Sequence, residues 1–232
     1  MKRGGKLFLY LVILAIAALA FLYLVGPHAE FARAFTRYRD AHLAGDGARV
    51  AELTAPAEIA FVDRQRQLAL AASHAEVEAL PFRLRAGVLG LRQQVLEGRI
   101  PLALVQQATP EDLYAQTQEI RAKAAVLAPM EVIFAVPTGT NSGRGYVKIT
   151  AEPVSFYHYP LAASLGLYYG FVRTEGGEWR VDPSPIVDSS ASENEYWATQ
   201  MEPTGNRFII EAMLGVTDPA RVALLWEPLV KP

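Results

Sequence analysis

Residues 130–136 read MEVIFAV, and here the apolar period of the chain changes from near four to two. The short period returns at 145–154 (GYVKITAEPV), 167–175 (LYYGFVRTE) and 178–182 (EWRVD), all rich in β-branched and aromatic side chains. PTGTNSG at 137–143 reads as a hairpin loop, and Gly176 with Gly177 as a two-residue hairpin turn. A mostly antiparallel sheet of four strands or more follows. Its alternation would put Val132, Phe134 and Val136 on one face, and Tyr146, Lys148 and Thr150 on the face opposite Val147, Ile149 and Ala151.

Upstream of the sheet, residues 28–128 are helical in pattern. Phe31, Ala34, Phe35, Tyr38, Ala41 and His42 recur at three- and four-residue spacing, and the pattern stops at Gly45, Asp46 and Gly47. A short helix at 48–53 ends before Pro56. Pro81 and Pro110 then open further helices; Thr109 precedes Pro110, Glu111 and Asp112, which places a hydroxyl cap, a proline and two acids in the order a helix start requires. One packing stripe runs through Leu84, Val88, Leu91 and Val95, and another through Leu113, Thr117, Ile120, Ala124 and Leu127.

Residues 7–25, LFLYLVILAIAALAFLYLV, contain no charge, proline or glycine. As a helix they would rise roughly 28 Å, near the thickness of a hydrocarbon core, so a transmembrane helix is predicted. Lys2, Arg3 and Lys6 put residues 1–6 in the cytoplasm by the positive-inside rule, with the body extracytoplasmic, or periplasmic in a bacterium. That makes the protein a single-pass component of the inner (cytoplasmic) membrane. The competing reading is a cleaved signal peptide, for which Ala32, Arg33 and Ala34 offer an A-x-A triplet. The expected architecture is α+β: an N-terminal transmembrane helix, an α+β domain over 28–183 with helices at 28–128 packed on a curved antiparallel sheet at 130–183, and a linker with an extended C-terminal tail over 184–232. The tail carries Trp197, Phe208 and Trp226, the candidate partner contacts, and is apolar enough to fold back or to lie on a partner.

Two stretches at the ends of this domain carry a resemblance. FTRYRDAHLAGDGARVAELTA at 35–55 resembles the opening of the nuclear-transport-factor-like, or ketosteroid-isomerase-like, superfamily, in which an aromatic-rich helix ends in an A-x-x-x-G-D turn before a short helix. GFVRTEGGEWRVD at 170–182 resembles the closing hairpin of the same superfamily. The resemblance implies a cone-shaped α+β fold with an interior pocket and, from about 75 residues of helix between the two motifs, a large insertion. It names no chemistry, because members include enzymes and non-catalytic proteins. By the superfamily's habit, acid-base groups would come from inside the cone: Tyr38, His42, Asp63, His74, Tyr157, His158, Tyr159, Tyr168 and Tyr169 are eligible. The pocket candidates are Tyr38, His42, Tyr157, His158 and Tyr159, with packing the competing role for each.

Composition narrows the function classes. The absence of cysteine excludes disulfides, thiolate metal sites and a cysteine nucleophile. A net charge of -2, with three of the basic residues ahead of the apolar stretch, argues against nucleic acid. Four scattered histidines without H-x-x-x-H spacing indicate no metal, and no phosphate loop or G-x-S-x-G elbow is present; no cofactor is expected. The leading expectation is a non-catalytic accessory or structural subunit of a larger membrane complex, such as a respiratory or photosynthetic assembly, with the bilayer and other membrane-protein subunits as partners. A membrane-proximal module for a small, lipid-like apolar ligand is the alternative, and an acid-base enzyme of the ketosteroid-isomerase-like type the third.

Overall fold

The computed structural model describes residues 3–24, 26–124, 130–149 and 167–230. In order the elements are α1 (Arg3–Leu24), α2 (Pro27–Ala44), α3 (Gly47–Leu53), α4 (Pro56–Ala71), α5 (His74–Glu78), α6 (Phe82–Leu96), α7 (Leu102–Gln107) and α8 (Pro110–Ala124). Strands β1 (Met130–Gly139), β2 (Ser142–Ile149), β3 (Leu167–Arg173) and β4 (Trp179–Asp182) follow, then α9 (Ser184–Met201), a π-helical turn (Phe208–Met213) and α10 (Pro219–Trp226). The strands form an antiparallel meander in the order β1-β2-β3-β4.

Local chemistry sets the boundaries. Gly45 ends α2 in the left-handed conformation, φ 69°, where a side chain would be strained. The Asp46 carboxylate then accepts from the Arg49 amide and starts α3. Thr109 Oγ1 accepts from the Asp112 amide at the head of α8, as its sequence demands. The hairpin between β1 and β2 is tighter than the expected 137–143 loop, since Pro137 and Gly139 pair with Gly143 and Ser142. Proline is tolerated there because β1 is an edge strand and bulges at this point. A second irregularity between Val132 and Phe134 shifts the pleat by one residue, so Ala135, paired with Gly145, reaches the core in place of the expected Val136.

Two apolar cores result. The sheet core joins Phe31, Phe35 and Tyr38 of α2 to Val147, Tyr169, Phe171 and Val181. Gly143 lets α2 come this close, since a Cβ there would overlap the Phe31 ring. The helical core joins Val88 and Leu89 of α6 to Leu113, Ala198, Ile209 and Leu225. Helices α4 and α8 belong to both: Ile59 and Tyr114 face the sheet core, Ala69 and Leu113 the helical core.

Three expectations are corrected. Among the described residues, no helix is long and apolar enough to cross a membrane. The transmembrane helix, the single-pass anchor and the inner-membrane location with its cytoplasmic N-terminus and periplasmic body are therefore withdrawn, because the positive-inside rule orients only a segment that spans. The extended tail is also replaced: residues read as a linker form α9, and the last part of the chain packs into the helical core.

Candidate functional site

A cavity of about 200 Å³ lies where α2, α4, α8, β3 and the start of α9 converge. Phe35, Tyr38, His42, Tyr114 and Tyr169 give it an aromatic wall; Arg39, Glu58, Gln118 and Arg121 are the further polar members among the described residues. The 3.6-residue repeat puts Tyr38 and His42 on one face of α2, and Tyr114, Gln118 and Arg121 on one face of α8. The Tyr38 and His42 rings meet edge to face at 4.6 Å, and Phe35 lies 5.0 Å from Tyr169.

The three tyrosines are held as neutral phenols. Burial raises Tyr38 well above the ordinary phenol value, reinforced by Tyr114 and Tyr169. Burial also raises Tyr114 and pushes Tyr169 up to about 12. The Tyr38 and Tyr114 hydroxyls are hydrogen-bonded, and Thr54 Oγ1 lies 3.5 Å from the Tyr114 oxygen. His42 is neutral as well: burial, with a smaller contribution from Arg121, brings its pKa down to about 4.

Glu58 is the one carboxylate of the cavity wall, and it is already engaged. Its Oε2 accepts from Arg83 Nη2 at 2.7 Å and from Ser184 Oγ at 3.0 Å, while Arg83 Nη1 donates to Asp188 at 2.7 Å. By contrast, the Gln118 carboxamide and the Tyr169 hydroxyl have no hydrogen-bond partner among the described residues, although these residues are only 4% and 8% exposed. Neither polar end is among the fully buried atoms without a partner, so each keeps access to solvent, and a ligand oxygen in the cavity would take that solvent's place.

Of the pocket candidates, Tyr38 and His42 line this cavity, whereas Tyr157, His158 and Tyr159 lie outside the described residues. Among the other eligible groups, Tyr169 joins them; Asp63 pairs with Arg66, His74 stacks on Trp226 at 4.2 Å in the helical lobe, and Tyr168 lies under the Arg144 guanidinium. Glu58, Tyr114, Gln118 and Arg121 were not anticipated. The signal for three of them was polar residues at 114, 118 and 121, one turn apart on a helix. Among the partner candidates, Trp197 is half-exposed at 51%, whereas Trp226 is buried and Phe208 packs against the helical core. No group of residues that could hold a metal occurs among the described residues.

A groove of about 600 Å³ between α2 and the β3–β4 hairpin is larger, but exposed Arg33, Arg37 and Glu178 line it beside Trp179, a solvated charged surface. No protein-family model, curated protein or solved structure matches the chain.

Proposed function

We propose that the protein is a non-catalytic binding module for a small, uncharged, largely apolar molecule carrying a carbonyl-type oxygen. The observation that supports it is the pairing of an unmet Tyr169 hydroxyl with an unmet Gln118 carboxamide in one aromatic cavity. Both groups can donate to the same kind of oxygen, and the raised phenol pKa values keep that donor in place across the physiological range. A volume of about 200 Å³ is below the range of drug-sized pockets, which limits the enclosed part of the ligand to about one ring.

A binding role fits better than the acid-base enzyme. A general base works best with a pKa near the working pH, and His42 at about 4 is far below it. The Glu58 carboxylate is neutralised by Arg83 and bonded by Ser184. A second reading, a subunit docked on a protein partner, draws on one feature: Tyr196, Trp197 and Met201 of α9 are 60%, 51% and 52% exposed, an aromatic cluster at the surface.

The test uses acetophenone, a ring with one carbonyl oxygen, titrated into the protein and followed by NMR. Binding should shift the Gln118 side-chain amide and Tyr169 ring signals. Tyr169→Phe and Gln118→Leu should each weaken it roughly tenfold, the worth of one hydrogen bond at about 1–1.5 kcal/mol. Absence of any shift in the cavity signals would sink the proposal.

A further inference from the structure

A second chamber adjoins the first. It measures about 350 Å³, lies between α4, α6, α8 and α9, and shares Glu58, Arg121 and Val187 with the tyrosine cavity as a common wall. Apolar Phe61, Val62, Leu91, Ala191 and Leu214 line it together with polar side chains such as Gln94 and Asn194, and Gln94 Oε1 is buried there without a partner among the described residues. Among its charged members, Arg83 is engaged by Glu58 and Asp188 and lies 4.0 Å over the Phe61 ring.

The glycines of α6 make this chamber more than a packing defect. Gly87 and Gly90 both line it, in the interior of a helix, where glycine is the least favoured residue after proline. At Gly87 a Cβ would meet only the Gln65 carboxamide, the free end of a flexible side chain that can turn aside. Packing does not require glycine at 90 either: a Cβ would make only ordinary contact, 3.7 Å from Leu214 Cδ2. Its missing side chain leaves open space in the wall, at a cost to helix propensity that packing does not require.

We infer that the two chambers hold one ligand: an elongated, uncharged amphiphile whose carbonyl-type oxygen meets Tyr169 and Gln118, and whose saturated chain passes Val187 into the α6 chamber. The inference rests on the binding reading above and assigns the ligand class within it. Glu58 does not oppose the passage of a chain, since Arg83 and Ser184 already satisfy its carboxylate oxygen.

The experiment is a series of alkyl phenyl ketones, from acetophenone through butyrophenone to octanophenone, titrated into the wild-type chain and into Gly90→Leu and Ala191→Leu, which fill the second chamber from opposite walls. In the wild type, affinity should rise up to about fourfold per added methylene, the worth of burying one, and level off once the chamber is full. In both variants the gain should disappear, while acetophenone binds as in the wild type; that unchanged binding also shows that each variant is folded. If acetophenone binds but affinity stays flat along the wild-type series, the two-chamber inference is overturned and the binding reading stands. If the gain persists in both variants, the chain lies elsewhere and the inference is likewise overturned. If acetophenone does not bind the wild type, the binding reading fails first and takes this inference with it.

Discussion

His42 shows how one side chain couples the cavity to pH. Its pKa falls from 6.5 in the unfolded chain to about 4 in the fold, first because burial penalises the imidazolium and then because Arg121 repels it. With the folded value depressed, the unfolded chain takes up the proton first. The neutral ring's contribution is therefore fully present above pH 6.5, is lost as the pH falls toward 4, and changes no further below that. The gap corresponds to at most about 3 kcal/mol. His28 works in the same direction: its Nδ1 accepts from the Ala135 amide at 3.1 Å, which requires the neutral ring, and burial lowers its pKa too. Denaturant unfolding of wild type and His42→Gln at pH 7.5 and pH 4.5 checks this. The wild type should lose about 1–3 kcal/mol more than the variant between the two pH values, and an equal loss would show that His42 is not held neutral. His42 could be read from the sequence, since the period of α2 put it beside Tyr38. Gln118 could not, because a glutamine one turn from a tyrosine looks like a solvated face until the fold closes over it.

Among the elements, α9 and α10 explain why the end of the chain was misread. The inward side of α9 is half-buried Val187, Ser190, Ala191 and Asn194 with buried Ala198, correct in helical period but too small and polar to register as an apolar stripe. Its N-terminus is fixed instead by the Asp182 carboxylate, which accepts from the Ser184 amide. The helix α10 was legible from Asp218 and Pro219, but its attachment was not, because it depends on an arginine far away in sequence. Arg92 is fully buried, and its guanidinium donates to five carbonyls: Leu68, Ala69 and Ala72 at the end of α4, and Leu225 and Trp226 at the end of α10. Carbonyls at a helix C-terminus lack intrahelical partners and carry partial negative charge, so one buried cation satisfies two helix ends at once. Burial lowers its pKa to about 10, which still leaves it charged at neutral pH. Arg92→Met should destabilise the protein by about 3–5 kcal/mol, the usual penalty for stripping a partner from buried polar groups, and Arg92→Lys should recover only part of that because ammonium lacks the planar fork. Thermal or urea unfolding measures both, and hydrogen exchange should show the amides of Leu229 and Val230, which bond to Ala69 and Leu70, losing protection first.

For the whole molecule, the question is whether two cores make two folding units. The change of period at residue 130 correctly located the sheet, and the helical run before it was equally plain. What the sequence does not display is that α4 and α8 each present two faces, because a helix buried on two sides shows no single stripe. The expected stripe of α8 captured its contact with the helical core at Leu113 and Ile120 and passed over Tyr114 and Gln118, which face the cavity; Leu127 lies outside the described residues. Val62 packs against both cores, and Arg83 ties Glu58 of α4 to Asp188 of α9. The helical core cannot lose its order without removing one wall of the sheet core, so the two should unfold together. Leu89→Ala in the helical core and Phe171→Ala in the sheet core each delete a side chain no more than 1% exposed, and should each cost about 2–5 kcal/mol. Both should move one shared transition, monitored by near-ultraviolet circular dichroism and by hydrogen exchange of β3, to lower denaturant. A biphasic transition in which Leu89→Ala shifts only the helical part would show that the cores are independent. In that case the tyrosine cavity and the α6 chamber, whose common wall is built from α4, α8 and α9, would also open separately.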